Sequence, residues 1–304
     1  MTDHEPTSLD HDGLTRFLIL GAGIRGVRVH LQDTWRQIRE REDYPTAAAE
    51  LLGEASAAAA LLTGHTKVDG RLSIQLQANG AIRTLFAECT AAGTLRGIVQ
   101  LAEGATPTRD LRDLGPDAVL AITVENPRPG AQGQEPLRYQ GLVSLTSDTL
   151  AGALEDYFQQ SEQLPTRLLL AADGNRAAGL MLQKLPGDEG DEDGWVRVGA
   201  LFDTLGAQEL LELPGDTLLT RLFHEDGVEL LGRKPLAFAC SCSRERVSAM
   251  LASLGQDEAR AAAADGHAEV RCEFCGQRYS FTAGEVETLL TLHGQEMSAP
   301  ERVQ

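Results

Sequence analysis

Four of the five cysteines in this 304-residue chain fall in two tight pairs, Cys240-x-Cys242 and Cys272-x-x-Cys275, with 29 residues between them. Zn²⁺ prefers four tetrahedral ligands, and thiolates suit its borderline softness. Cys272-Glu-Phe-Cys275 followed by Gly276 is a metal-knuckle pattern, in which a tight turn aims both sulfurs at one point and the glycine relieves crowding. A thioredoxin-type pair would instead open a helix after a strand. Here "AEV" leads in and "QRYSF" leads out, which places the pair in a β-hairpin. The Cys240 pair is the less usual half. With one intervening residue both thiolates can reach one ion, but they can also join each other at some strain. Arg244 and Arg246 stand beside it. They either lower the thiol pKa values or simply start the helix "RERVSAMLASLG", and the sequence does not separate the two. The spacing favours one Zn²⁺ per chain on Cys240, Cys242, Cys272 and Cys275. Whether disulfides replace it stays open at this level.

Other motifs carry less. Gly21-Ala22-Gly23-Ile24-Arg25-Gly26 is a literal G-x-G-x-x-G after the apolar run "FLIL". A dinucleotide site would need the third glycine to open a helix facing the pyrophosphate. Instead "VRVHL" follows, with the alternation and β-branching of a strand, so the glycines read as a turn or bulge. No P-loop, H-E-x-x-H or G-x-S-x-G motif is present. His224, Glu225 and Asp226 read as an exposed helix end or turn. Cys89 ends a strand-like run and reads as a small buried apolar residue.

The elements that must position the cysteines point to an α+β chain. "FLILGAGIRGVRVHL" reads as strand, turn, strand, and Pro45 precedes the Ala-rich helix "TAAAELLGEASAAAALL". "RLSIQLQ", Asn79-Gly80 and "IRTLFAEC" form a hairpin, with further strands at "TLRGIVQ", "AVLAITVEN" and "YQGLVSL". "LAGALEDYFQQSEQLP" is a helix stopping at Pro165, and "TRLLLAA" with "AAGLMLQKL" a second hairpin. The expected organisation is a disordered tail at 1–13, a largely antiparallel α+β domain at 14–185, an acidic loop and helical linker at 186–236, a four-cysteine module at 237–294 and a loose tail at 295–304. The linker opens with the charged loop "PGDEGDEDG". Its helices are rich in Leu and are split by Pro214-Gly215. They have no core of their own and must dock on something.

Composition sets the outer limits. Hydrophobic residues make up 42% of the chain, enough for a sizeable core. No apolar run approaches the roughly 20 residues of a membrane span. The N-terminus is polar and acidic, so the expected location is the cytoplasm, where paired cysteines are more often metal ligands or redox centres than structural disulfides. The formal charge of −18 argues against a nucleic-acid binder. The cysteine module itself carries five Arg and no Lys against eight Asp and Glu, a net of −3 before thiolates.

At the cysteines the chain resembles a known family. C-x-C-S-R-E-R-V, the spacer, and C-E-F-C-G with an aromatic strand after it look like the heat shock protein 33 family of bacterial redox-regulated chaperones. "RGVRVHLQDTW", "LLGEASAAAALLTGHTKVDGRLSIQLQANG", "LFAEC" and "AAGLMLQKLP" extend the likeness across nearly the whole chain. One departure lies between the cysteine pairs, where Ala259 stands in a place that usually carries a larger apolar residue. The resemblance implies that the four cysteines hold Zn²⁺ in a reduced, inactive state. It implies that oxidation pairs Cys240 with Cys242 and Cys272 with Cys275 and releases the ion. The result would be an ATP-independent holdase, not an enzyme, that binds unfolding proteins and tends to dimerise. Leu211, Leu218, Leu219 and Leu222 of the linker are the expected client-binding surface. In the reduced state they should cover apolar surface of the N-terminal domain and rest against the cysteine module. The alternative is a zinc-ribbon nucleic-acid-binding or regulatory protein, which the acidic module disfavours. A nicotinamide-dependent oxidoreductase is disfavoured by the strand after the glycines.

Overall fold

A computed structural model describes residues 12–128, 136–187, 191 and 193–298. The chain divides into two compact units at Ala239/Cys240.

The first unit is built on two sheets and a buried helix. Strands β1 (Asp12–Ile19) and β2 (Ile24–Leu31) pair antiparallel and lead into helices α1 (Asp33–Arg39) and α2 (Thr46–His65). Strands β3 (Arg71–Gln77), β4 (Ile82–Thr90), β5 (Thr94–Leu101), β6 (Val119–Asn126) and β7 (Leu137–Val143) follow, then helix α3 (Leu150–Ser161) and the hairpin β8 (Thr166–Ala172) and β9 (Ala177–Lys184). Helices α4 (Gly194–Phe202), α5 (Ala207–Glu212) and α6 (Gly215–Phe223) come next, then strands β10 (Val228–Pro235) and β11 (Ala237–Phe238). One sheet runs β10-β1-β2-β9-β8 and the other β11-β5-β4-β3-β6-β7. Every pairing is antiparallel except β11 on β5. α2 is apolar all round because alanines line the sides that larger residues do not, and residues 51–62 are buried without a break.

The period-two alternation of β2 decides what covers each face of the five-stranded sheet. Val27, Val29 and Leu31 join the core around α2. Phe17, Ile19, Ile24, Leu180 and Leu182 face the opposite way and pack against Val198, Phe202 and the leucines of α5 and α6. The G-x-G-x-x-G stretch is a structural turn. Leu20–Ala22 form one 3₁₀ turn, Gly23 takes the left-handed conformation at φ +61, and β2 begins at once. Gly26 sits opposite Phe17, whose ring fills the space a Cβ would occupy.

The second unit contains α7 (Arg244–Ser253), α8 (Gln256–Ala262), the hairpin β12 (His267–Arg271) and β13 (Arg278–Thr282), and α9 (Ala283–Ser298). Its core holds only Val247, Leu251, Ala259, Ala263, Ala268, Phe281, Val286 and Leu290 among the described residues. Ala259 is fully buried there.

Several expectations are corrected. The helical reading of 195–236 holds to Phe223, but Val228–Pro235 is an edge strand paired with β1, and Ala237–Phe238 pairs with β5. The β-branched signal there is weak, and pairing along β1 decides the outcome. The first tail ends earlier than expected, since β1 begins at Asp12, and α9 continues through residues expected to be loose, as far as Ser298. Residues 1–11, 188–190, 192 and 299–304 of the expected tails and acidic loop lie outside the described residues.

If Gly26 serves packing, Gly26→Ala should destabilise the first unit by about 1–3 kcal/mol through overpacking against Phe17. Urea denaturation followed by far-UV circular dichroism measures this. An unchanged midpoint would show that the ring has room to move.

Candidate functional site

The cysteine site is assembled by two turns of the second unit. Cys240 and Cys242 lie in the extended stretch before α7, whose Ser243 side chain caps the helix by accepting from the Arg246 N–H. Cys272 and Cys275 occupy the turn between β12 and β13. Its backbone is fixed by the Cys272 N–H donating to the Gln277 carbonyl at 2.8 Å and the Gly276 N–H donating to the Cys272 carbonyl at 2.8 Å. Gly276 has φ +73, so the turn that aims the two sulfurs needs a residue at ease in the left-handed region.

All four Sγ atoms lie within 4.8 Å of one another, a set that could hold a metal ion. Cys240 and Cys272 are 3.7 Å apart and Cys242 and Cys275 are 3.3 Å apart. A tetrahedral site with Zn–S of about 2.3 Å has edges of about 3.8 Å, so the spacing and the all-thiol donor set both fit that metal. The Tyr279 hydroxyl donates to Cys242 Sγ at 3.1 Å, a contact the sequence reading missed. Burial raises the Cys242 thiol, but hydrogen bonds from Tyr279 and from the other three thiols outweigh it and bring it down to about 7. Burial, and then hydrogen bonding to its three sulfur neighbours, pushes Cys275 up to about 12. Burial also raises Cys240. Cys242 is thus the thiol of the cluster that its surroundings favour as a thiolate, while burial disfavours that form at Cys240 and Cys275.

The arginines beside the first pair serve the fold. Arg244 lies over the Phe281 ring at 4.2 Å, pairs with Glu285 at 2.8 Å and donates to the Ser280 carbonyl. Arg246 donates to the Ser241 carbonyl. Cys89 is fully buried on β4, and burial pushes its thiol up to about 11.

In the first unit, Leu211, Leu218, Leu219 and Leu222 are all buried, together with Leu205 and Leu210, while Leu201 is half-buried. They dock on the sheet by apolar contact, reinforced by two buried polar groups that the sequence reading did not single out. His30 Nε2 donates to the Leu211 carbonyl at 2.9 Å and Arg28 donates to the Leu213 carbonyl at 2.9 Å. Both carbonyls stand at the C-terminal end of α5, where helix carbonyls have no intrahelical partner. The glycine turn anchors both ends of the helical segment. Gly21 donates to the Asp226 carbonyl, Leu20 to the Gly227 carbonyl, and the Gly21 carbonyl accepts from Asp191. Gly194 at the start of α4 packs so closely that a Cβ would lie 2.7 Å from Ala22 Cα. Asp226 is corrected from an exposed position. It is buried and pairs with Arg197 of α4, whose guanidinium also reaches Asp191 at 2.8 Å. His224 and Glu225 are exposed as expected.

Comparison with known proteins gives one consistent result. The family model described as Hsp33 protein matches residues 12–282. The chain is 44% identical over 300 residues to the 33 kDa chaperonin of Ectopseudomonas mendocina, covering 96% of this chain and 99% of that protein. It is 43% identical to the 33 kDa chaperonin of Azotobacter vinelandii, covering 92% and 95%. Among solved structures, the Thermotoga maritima 33 kDa chaperonin matches with a TM-score of 0.75 at 24% identity, covering 94% of this chain and 99% of that one. No helix among the described residues is long and apolar enough to cross a membrane.

Loss of one thiol from a four-sulfur site removes both a ligand and the closed geometry. Cys272→Ser should lose most of its bound metal on dialysis against a weak chelator, while Cys89→Ala should retain the full equivalent. Plasma emission analysis of both variants checks this, and equal metal contents would contradict the assignment of the cluster.

Proposed function

The chain belongs to the Hsp33 family, and from that premise we propose that it is a redox-switched, ATP-independent holdase of the cytoplasm. The observation that carries this reading is the combination of four convergent thiols on a very small core with a leucine-rich face held only by short helices. In the reduced state Cys240, Cys242, Cys272 and Cys275 would hold one Zn²⁺. When bound, the ion keeps all four sulfurs as thiolates and ties the stretch before α7 to the β12–β13 turn.

Oxidation by a peroxide-class oxidant joins Cys240 to Cys242 and Cys272 to Cys275. Each step forms one S–S bond from two thiolates, passes two electrons to one hydrogen peroxide and, with two protons drawn from solvent, leaves two waters. Tyr279 favours the thiolate of Cys242, the form that attacks peroxide. The short sulfur contacts run between the pairs, from Cys240 to Cys272 and from Cys242 to Cys275. Pairing within each turn therefore draws the cluster apart and leaves no thiolate to bind the ion.

The consequence travels along the chain. Cys240 follows Ala239, whose N–H donates to the Leu95 carbonyl, and β11 has only two residues. Before it stands β10, a largely exposed edge strand leading back to α6. Loss of order at Cys240 frays this run and loosens α4–α6. Leu211, Leu218, Leu219 and Leu222 and the sheet face beneath them then become apolar surface for unfolding proteins. The same surface favours association of two oxidised copies. The reading invokes no nucleic acid and no catalysis.

Each of these leucines contributes roughly 1.5–3 kcal/mol to docking. Leu218→Asp places a charge in that contact and should release the segment without any oxidant. The variant should suppress light scattering by a denaturing client while reduced and metal-loaded, whereas the unsubstituted protein should do so only after peroxide. A folded Leu218→Asp variant that stays inactive until peroxide is added would place client binding elsewhere.

A further inference from the structure

A second candidate site lies in the first unit, at the junction of its two sheets and apart from the leucine face. A cavity of about 280 Å³ opens between the end of α2, the β4–β5 turn and the paired strands β1 and β10. Arg16, Lys67 and Lys234 line it, and among the described residues no carboxylate does. This is conspicuous in a chain with 45 acidic against 27 basic residues. Arg16 and Lys234 point to the same side of the sheet, since Leu14 pairs with Lys234 and Arg16 with Gly232. Arg233 also borders the cavity, but its guanidinium is taken by Asp216.

The Arg16 and Lys67 side chains make no hydrogen bond or ion pair with any described residue. Lys234 has only the Ala91 carbonyl. Three cations thus line one cavity, with no carboxylate beside them among the described residues. The C-terminal end of α2 also faces the cavity and contributes about half a negative charge. Its carbonyls are partly satisfied already, since Thr63 donates to Ala59 and Thr66 to Leu62. The cations dominate the local potential. The rest of the wall is mixed, with Leu14, Val68 and Leu236 supplying apolar surface and Thr63, Thr66 and Thr90 supplying hydroxyls.

We propose that this cavity binds a small phosphate-bearing organic molecule, with the phosphate between Arg16, Lys67 and Lys234 and the organic part against Leu14, Val68 and Leu236. Its volume lies at the small end of ligand pockets, which suits a phosphomonoester of one ring rather than a polymer. Arg16 supplies the planar fork that matches phosphate oxygens, and the two lysines act as point charges.

The test is isothermal titration of the full-length reduced protein with phenyl phosphate at low ionic strength, with phenol as the uncharged control. One-site saturable binding of phenyl phosphate and none of phenol is expected. Arg16→Ala and Lys67→Ala should each weaken binding about tenfold, as expected for loss of one charge-assisted hydrogen bond. Both side chains are exposed, so both variants should keep the parent's melting curve. Arg138→Ala, which removes an exposed cation on β7 that does not line the cavity, should bind as the parent does. Absence of binding at millimolar phenyl phosphate, or equal weakening in Arg138→Ala, would overturn the proposal.

Discussion

Four thiols held within 4.8 Å of one another are the constraint on which the second unit depends. Their geometry pulls the sulfurs together while their charges would push them apart. Burial lifts the Cys275 thiol, whereas the Tyr279 hydroxyl brings Cys242 down against its own burial, so the four sulfurs do not ionise alike. A divalent cation bound among them would hold all four as thiolates. A unit of roughly 60 residues with ordinary stability per residue has only about 3–9 kcal/mol. Structural zinc in comparable small sites is worth roughly 10–16 kcal/mol. A core of eight mostly small side chains cannot match that. The proposed switch follows: the group that holds the unit together is the group an oxidant removes.

The first unit is stable in a different way. α2 and one face of each sheet form a continuous core that does not involve the cysteine module. The other face of the five-stranded sheet is covered by α4, α5 and α6, which have nine, six and nine residues. Helices of that length do not persist alone in water. They exist because leucines bury on the sheet and because His30, Arg28 and the glycine turn supply polar anchors. The Arg197–Asp226 pair adds to this, but the half-exposed guanidinium limits its worth. Such a layer is apolar enough to stay docked and segmented enough to leave without unfolding what lies beneath.

The four-cysteine cluster and the hairpin knuckle were legible because their chemistry is local: two close pairs, a glycine after the second, and strand residues on either side. The strands around Asn79-Gly80 and the Ala-rich helix were legible for the same reason. What was hidden depends on partners far away in the chain. Val228–Pro235 becomes a strand because β1 offers an edge, which the sequence of that segment does not announce. Asp226 looked like a surface residue because its partner, Arg197, stands 29 positions earlier. Tyr279 looked like a strand residue until the hairpin turned it toward Cys242. The G-x-G-x-x-G stretch was rejected as a nucleotide loop from the strand after it. Its part in seating the helical segment became visible only with the backbone bonds to Asp191 and Asp226 in place.

The central claim is that oxidation of the four cysteines frees the α4–α6 segment while the core around α2 stays intact. Hydrogen–deuterium exchange, comparing reduced metal-loaded protein with peroxide-oxidised protein, tests it directly. The account predicts that amides of residues 194–223 lose their protection on oxidation, while those of residues 46–65 keep theirs. Protection of 194–223 that is unchanged after both disulfides have formed would contradict it.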